Sequence, residues 1–133
     1  MSCKDTGSRS IKDTLELIQA LQIAAEEREE IVLACDKPFL GCRKRPEGCN
    51  TRPIEIFTDD GKPWCMEFHE EGEKKGESKI FRVERVENDA CIFRVLIPKG
   101  NGKYKSTEDF FTVNLGCICG IKCLPDTFLE CLL

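Results

Sequence analysis

From Ile11 onward, apolar residues return every three or four positions. Ile11, Leu15, Ile18, Leu21 and Ala25 fall within an arc of roughly 120° on a helical wheel, the stripe of an amphipathic helix. Leu17 and Ala24 broaden that stripe and Ile23 falls on the far side. Ser10 is a good N-cap, and Asp13 three residues on completes a capping-box-like start. Glu26-Glu27-Arg28-Glu29-Glu30 extends the pattern with an acidic end that opposes the macrodipole, and Pro38 sets the latest stop. Residues 1–9 show no period and read as a flexible arm. Residues 35–53, with their Pro, Gly and Cys, are irregular.

At Ile54 the period changes from helical to alternating. Ile54–Phe57 and Trp64–Phe68 flank an Asp60-Gly61 turn signal and predict a hairpin. Residues 70–79 are charged and Gly-spaced, which predicts a solvated loop. Ile80–Val86 and Cys91–Ile97 predict a second hairpin around Asn88-Asp89. Pro98–Lys105 reads as a Gly-rich connection, and Phe110–Leu124 as one long strand stopped by Pro125. Asp126 could then cap a short tail helix ending Cys131-Leu132-Leu133. The expectation is α+β: one N-terminal amphipathic helix followed by an antiparallel β-sheet or small β-sandwich, with residues 10–133 as a single domain.

Composition narrows the function. The 133 residues are 41% hydrophobic and 33% charged, the balance of a globular chain. A net charge of −4 repels nucleic acid, and Arg43-Lys44-Arg45 is too short a basic run to reverse that. No apolar run approaches the roughly 20 residues of a membrane helix, and the first residues lack the apolar core of a secretory signal. The expectation is therefore synthesis in the cytosol, without nucleic-acid or membrane partners. Ten cysteines conflict with that setting, because cytosolic thiols are normally kept reduced.

The cysteines are Cys3, Cys35, Cys42, Cys49, Cys65, Cys91, Cys117, Cys119, Cys123 and Cys131. In a strand spanning Thr112–Leu124, the residues Val113, Leu115, Cys117, Cys119, Ile121 and Cys123 would share one face. Such a face can pack and then be locked covalently. Cys117 and Cys119 lie too far apart along an extended strand for an easy bond to each other, so each would reach a neighbouring strand or molecule.

Zinc would need paired ligands at C-x₂₋₄-C spacing on a tight turn. Cys35, Cys42 and Cys49 recur every seven residues, and Cys119 and Cys123 sit in predicted strand. A nucleophilic cysteine would need a base, and the single histidine, His69, lies four residues from Cys65 at a strand end, where an edge-of-hairpin role suits it better. No phosphate loop, paired-carboxylate site or C-x-x-C motif is legible. No catalytic residue, metal ligand, cofactor or small-molecule substrate is expected, and all ten cysteines stand as disulfide or crosslink candidates. Cys3, on its polar arm, is expected to bond between chains.

Three pieces carry a resemblance: Ile80-Phe81-Arg82-Val83-Glu84, Cys91-Ile92-Phe93-Arg94-Val95-Leu96, and Thr112-Val113-Asn114-Leu115-Gly116-Cys117-Ile118-Cys119-Gly120-Ile121-Lys122-Cys123-Leu124. They resemble the spore coat and exosporium family that includes CotY, CotZ and ExsY. Ile54–Phe68 is a weaker match, and Ala90 and Asn114 depart from residues common in the family. The resemblance implies a structural protein made in the mother-cell cytoplasm and deposited on the spore surface. It implies self-assembly with itself and other coat proteins into a disulfide-crosslinked layer, oxidised after synthesis. The competing reading is a cytosolic zinc-binding or thiol-sensing regulatory module.

Overall fold

Ser10 opens the helix as its side chain predicts. Its Oγ accepts the Asp13 amide at 3.0 Å, satisfying one of the donors a helix start leaves unpaired. The structure, a computed structural model, describes residues 10–27, 49–70, 74–130 and 132. Helix α1 spans Ile11–Glu27; the expected run through Glu30 towards Pro38 lies outside the described residues. Leu15, Ile18 and Gln22 are buried and Ile11 packs beside them. Leu17, read as part of the stripe, is instead 44% exposed. At 100° per residue it lies about 130° from the centre of that buried row. Ile23 is exposed, as its position on the wheel requires.

Seven strands follow: β1 Ile54–Phe57, β2 Met66–Glu70, β3 Lys74–Ser78, β4 Ile80–Glu87, β5 Ala90–Gly100, β6 Lys103–Asn114 and β7 Gly120–Cys123. Five form one antiparallel sheet in the order β6-β5-β4-β1-β7, and β2 and β3 form a separate ribbon. With α1 ahead of them, the fold is α+β. The β4–β5 hairpin turns at Asn88-Asp89, with Asn88 at a φ of 44°.

Four local expectations change. The connection read over Pro98–Lys105 is mostly strand, because Asn101 and Gly102 both adopt positive φ (56° and 72°) and close a two-residue hairpin between β5 and β6. Pro98 fits there because β4 begins at Ile80 opposite Leu96, so Pro98 lies past its end. The first predicted hairpin is brief. Its arms meet at Phe57 and Pro63, and Trp64 donates to the Ile56 carbonyl at 2.8 Å; the chain then leaves to pair with residues read as loop. Those residues, Lys74–Ser78, form a strand because Gly76 lies directly opposite Phe68, whose ring covers it. In the tail, residues 124–130 hold no helix: Asp126 is engaged by Arg52, and Thr127 bridges Thr51.

The largest change concerns the cysteine run. The expected strand Phe110–Leu124 is broken by a 3-10 turn at Leu115–Cys117. Its first part is β6, at one edge of the sheet, and its second part is β7, at the other. Ile118 is buried in the main core, which an unbroken strand with Val113 facing inward would forbid.

Both faces of the sheet are covered. The inner face packs Phe81, Val83, Phe93, Val95 and Val113 against Leu15, Ile18 and the ribbon's Phe68. Phe111 meets Phe81 edge-on at 4.8 Å and stacks on Trp64 at 6.4 Å. On the outer face a smaller cluster joins Ile80, Leu96 and Leu129, flanked by Tyr104, Leu124 and Leu132.

Candidate functional site

The structure sorts the described cysteines into three environments. Cys91 is fully buried in β5 opposite Val113, and burial pushes its thiol up to about 12. It is a packing residue with little thiolate to offer. Cys49 and Cys119 are disulfide-bonded. Cys49 is nearly buried beside the Thr51–Thr127 bridge, while the Cys119 amide donates to the Phe57 carbonyl at the far end of β1. Cys65, Cys117 and Cys123 are free thiols at the surface. Cys3, Cys35, Cys42 and Cys131 lie outside the described residues, as does Arg43-Lys44-Arg45.

The common cysteine face is therefore overturned. Cys117 sits in the 3-10 turn, Cys119 follows it, and Cys123 ends β7 opposite Ile54. The break at Gly116 puts one apolar residue of the run, Ile118, into the core and leaves Cys117 and Cys123 at the surface.

Cys65 and His69 do line one open groove of about 390 Å³, with Met66, Asp109, Phe110 and Phe111. They are not a catalytic pair. Cys65 lies just before β2 and His69 is the fourth residue of that strand, so a near-extended backbone sets their Cα atoms roughly 13 Å apart, beyond the hydrogen-bond reach a general base requires. His69 has another task at the ribbon. Its amide donates to Asp109 Oδ2 at 2.7 Å and its Nδ1 lies 3.4 Å from Oδ1, tying β2 to β6. Among the described residues, no group of three or more His, Cys, Asp or Glu side chains could hold a metal ion.

Sequence reasoning passed over the polar residues that organise the outer face. Arg82 and Arg94 lie directly opposite each other in β4 and β5, and both are buried. Glu84 Oε2 accepts from Arg82 Nη1 at 2.8 Å and from Arg94 Nε at 3.0 Å, so one carboxylate holds two guanidinium groups. Arg82 also reaches the Thr51 hydroxyl and the Asn50 carbonyl. Arg94 donates to the carbonyls of Thr107 and Leu132 and lies 4.4 Å from the Phe110 ring centre. The signal was present in Ile80-Phe81-Arg82-Val83-Glu84, where charges alternate with apolar residues in a strand covered on both sides.

Gln22 was missed in the same way. Its Nε2 donates to the Val83 carbonyl at 2.8 Å and its Oε1 accepts the Arg52 amide at 3.1 Å. Gln19 Oε1 accepts the Val86 amide at 3.2 Å. Because β1 pairs with β4 only at Ile54 and Phe81, the rest of that β4 edge would be bare. Helix α1 closes it with glutamine side chains. Among the described residues, no buried side-chain nitrogen or oxygen lacks a partner.

These features define a class: a small α+β structural domain whose polar side chains brace its own layers and three of whose free thiols, Cys65, Cys117 and Cys123, face outward. The family model for Spore coat protein Z matches residues 1–105, and the chain belongs to that family. The match includes Ile80–Glu84 and Cys91–Leu96; the Thr112–Leu124 run lies beyond it. Neither a curated protein nor a solved structure matches the chain. Membership gives the chain a structural role in the spore coat, at the spore surface.

Proposed function

We propose that this chain is a self-assembling subunit that is crosslinked through its surface thiols into a protective layer of the spore coat or exosporium. The observation that carries the reading is the exposure of Cys65, Cys117 and Cys123 on a domain whose other described cysteines are buried or already bonded. Family membership supplies the setting. Synthesis in the mother-cell cytoplasm keeps these thiols reduced until neighbours are docked. A surface thiolate then attacks a disulfide sulfur, forming one S–S bond and releasing one thiolate. Where two thiols join, two electrons and two protons pass to an external oxidant such as molecular oxygen or a small disulfide.

Burial leaves Cys91 outside this chemistry, and Cys49 and Cys119 are already bonded. Partners are further copies of the chain and other coat proteins. The test compares wild type with Cys65→Ala/Cys117→Ala/Cys123→Ala. Wild type forms oxidised assemblies that reductant dissolves, giving a ladder on a non-reducing denaturing gel. The triple variant melts like reduced wild type and loses most of the ladder. An undiminished ladder refutes the assignment of these three thiols, and a wild type that stays monomeric in oxidant refutes the function.

A further inference from the structure

The outer face of the sheet is shaped to hold an extended peptide. Asn50 grips Leu129 from both sides, with Nδ2 donating to its carbonyl at 3.0 Å and Oδ1 accepting its amide at 2.9 Å. A neighbouring strand would offer the same two bonds; here a buried side chain offers them. Further along, Ser106 Oγ donates to the Glu130 carbonyl at 3.0 Å and Arg94 Nη2 to the Leu132 carbonyl at 2.9 Å. Arg52 clasps Asp126 through two bonds, at 2.7 and 2.9 Å. Thr51 and Thr127 exchange backbone bonds at 3.1 and 2.9 Å. Leu129 fills the floor over Ile80 and Leu96.

The division of labour is one-sided. The body supplies the side chains of Asn50, Arg52, Arg94 and Ser106, while the segment supplies mostly backbone, with the apolar Leu129 and Leu132, the Asp126 carboxylate and the Thr127 hydroxyl, which donates to the Gly102 carbonyl at 3.3 Å. Among its described residues the segment has no helix and only one bridge, and it joins β7 through Leu124-Pro125. Pro125 fixes its own φ and holds Leu124 extended, which limits the entropy lost when the segment is seated.

We infer that this groove also takes residues 125–132 of a second copy of the chain, so that subunits exchange their C-terminal segments. The contacts are the same within a chain or between chains, so concentration and tether entropy decide the balance. A short tether gives its own segment an effective concentration of roughly millimolar. Subunits packed side by side in a layer reach the same range. The inference deepens the assembly reading above and rests on it, adding a non-covalent join that forms before any sulfur is oxidised.

The test inverts the Arg52–Asp126 ion pair, which spans the join, in the full chain under reductant. Arg52→Asp and Asp126→Arg each place like charges together within a chain. Mixed, the two variants restore an opposite-charge pair in both grooves of an exchanged dimer. The 1:1 mixture is expected to contain roughly tenfold or more dimer than either variant alone, the scale of one restored charge-assisted bond. Arg52→Asp/Asp126→Arg in one chain should match wild type. A mixture no more dimeric than its components, with that double variant folded, overturns the inference. Should a single variant fail to fold, isotope-filtered NMR on a mixture of labelled and unlabelled wild type decides. At millimolar concentration, Leu129-to-Leu96 contacts between chains support exchange, and contacts confined to one chain overturn it. Assembly that needs oxidant would still stand if exchange fails.

Discussion

Replacing Gln22 by Leu removes two hydrogen bonds while keeping helix propensity and approximate volume. The Val83 carbonyl, bonded at 2.8 Å, belongs to a fully buried residue and would lose its partner in a place water does not reach. The Arg52 amide, bonded at 3.1 Å, is only part-buried and would be partly re-solvated. An orphaned buried group costs about 1–3 kcal/mol, and the added apolar area offsets about 1 kcal/mol of the total. The net loss is about 1–2.5 kcal/mol, or about 3–12 °C in Tm for a domain of this size. Thermal unfolding followed by circular dichroism, in reductant, measures it. Gln19→Leu is the control: it loses one 3.2 Å bond at a part-exposed position and should cost less than about 1 kcal/mol. If Gln22→Leu melts within about 2 °C of the parent, the glutamine clasp is not what holds α1 to β4.

Three further outcomes follow from the same geometry. Gly76→Ala should lower stability by about 1–3 kcal/mol in urea unfolding, because its Cβ would stand 2.6 Å from Phe68 Cζ; the 0.4–1 kcal/mol gained from a stiffer unfolded chain is about the smaller quantity. Glu84→Gln removes the carboxylate shared by Arg82 and Arg94 and should cost about 2–4 kcal/mol, somewhat below the value for a fully buried pair because Glu84 is 20% exposed. Cys91 sets an alkaline limit. Below about pH 9 its thiol is protonated both folded and unfolded; as pH rises from there towards about 12, only the unfolded chain gives up the proton, so its contribution falls by up to about 1.4 kcal/mol per pH unit. Cys91→Ala should show a flatter loss over that window, and equal slopes would refute the buried, neutral thiol. In native protein, Cys91 should also resist alkylation that modifies Cys65, Cys117 and Cys123.

What the sequence made legible was whatever depended on neighbouring residues alone. The Ser10 cap, the Leu15–Ile18 row and the Asn88-Asp89 hairpin are local, and each is where its pattern puts it. The ribbon strand Lys74–Ser78 was hidden because its pairing rests on one glycine opposite one aromatic ring rather than on alternation. The Asn101-Gly102 turn carries a hairpin signal of its own, obscured by the surrounding Gly and Pro. The Thr112–Leu124 run alternates well enough to imitate one strand, and only long-range pairing of its halves with β5 and β1 reveals the break. Of the candidate site, the residue types were plain from the start. Which thiols are exposed was not, because burial depends on strand order, and strand order is set by partners far away in the chain. The same holds for Arg82, Glu84 and Arg94, which look like surface charges until the tail covers them.

The break between β6 and β7 has a consequence for the material such subunits could form. A building block with two linkable points polymerises into threads; one with three or more branches, and past a critical extent of reaction it becomes a single network spanning the whole sample. Cys65, Cys117 and Cys123 are sited on three separate parts of the fold, and if they crosslink as proposed above the subunit would be at least trifunctional in that sense. Had the run stayed one strand, its sulfurs would have crowded a single face and served a single neighbour. Under that reading, breaking the strand would raise connectivity without adding a cysteine, and in a branched network the severing of any one link leaves the rest continuous.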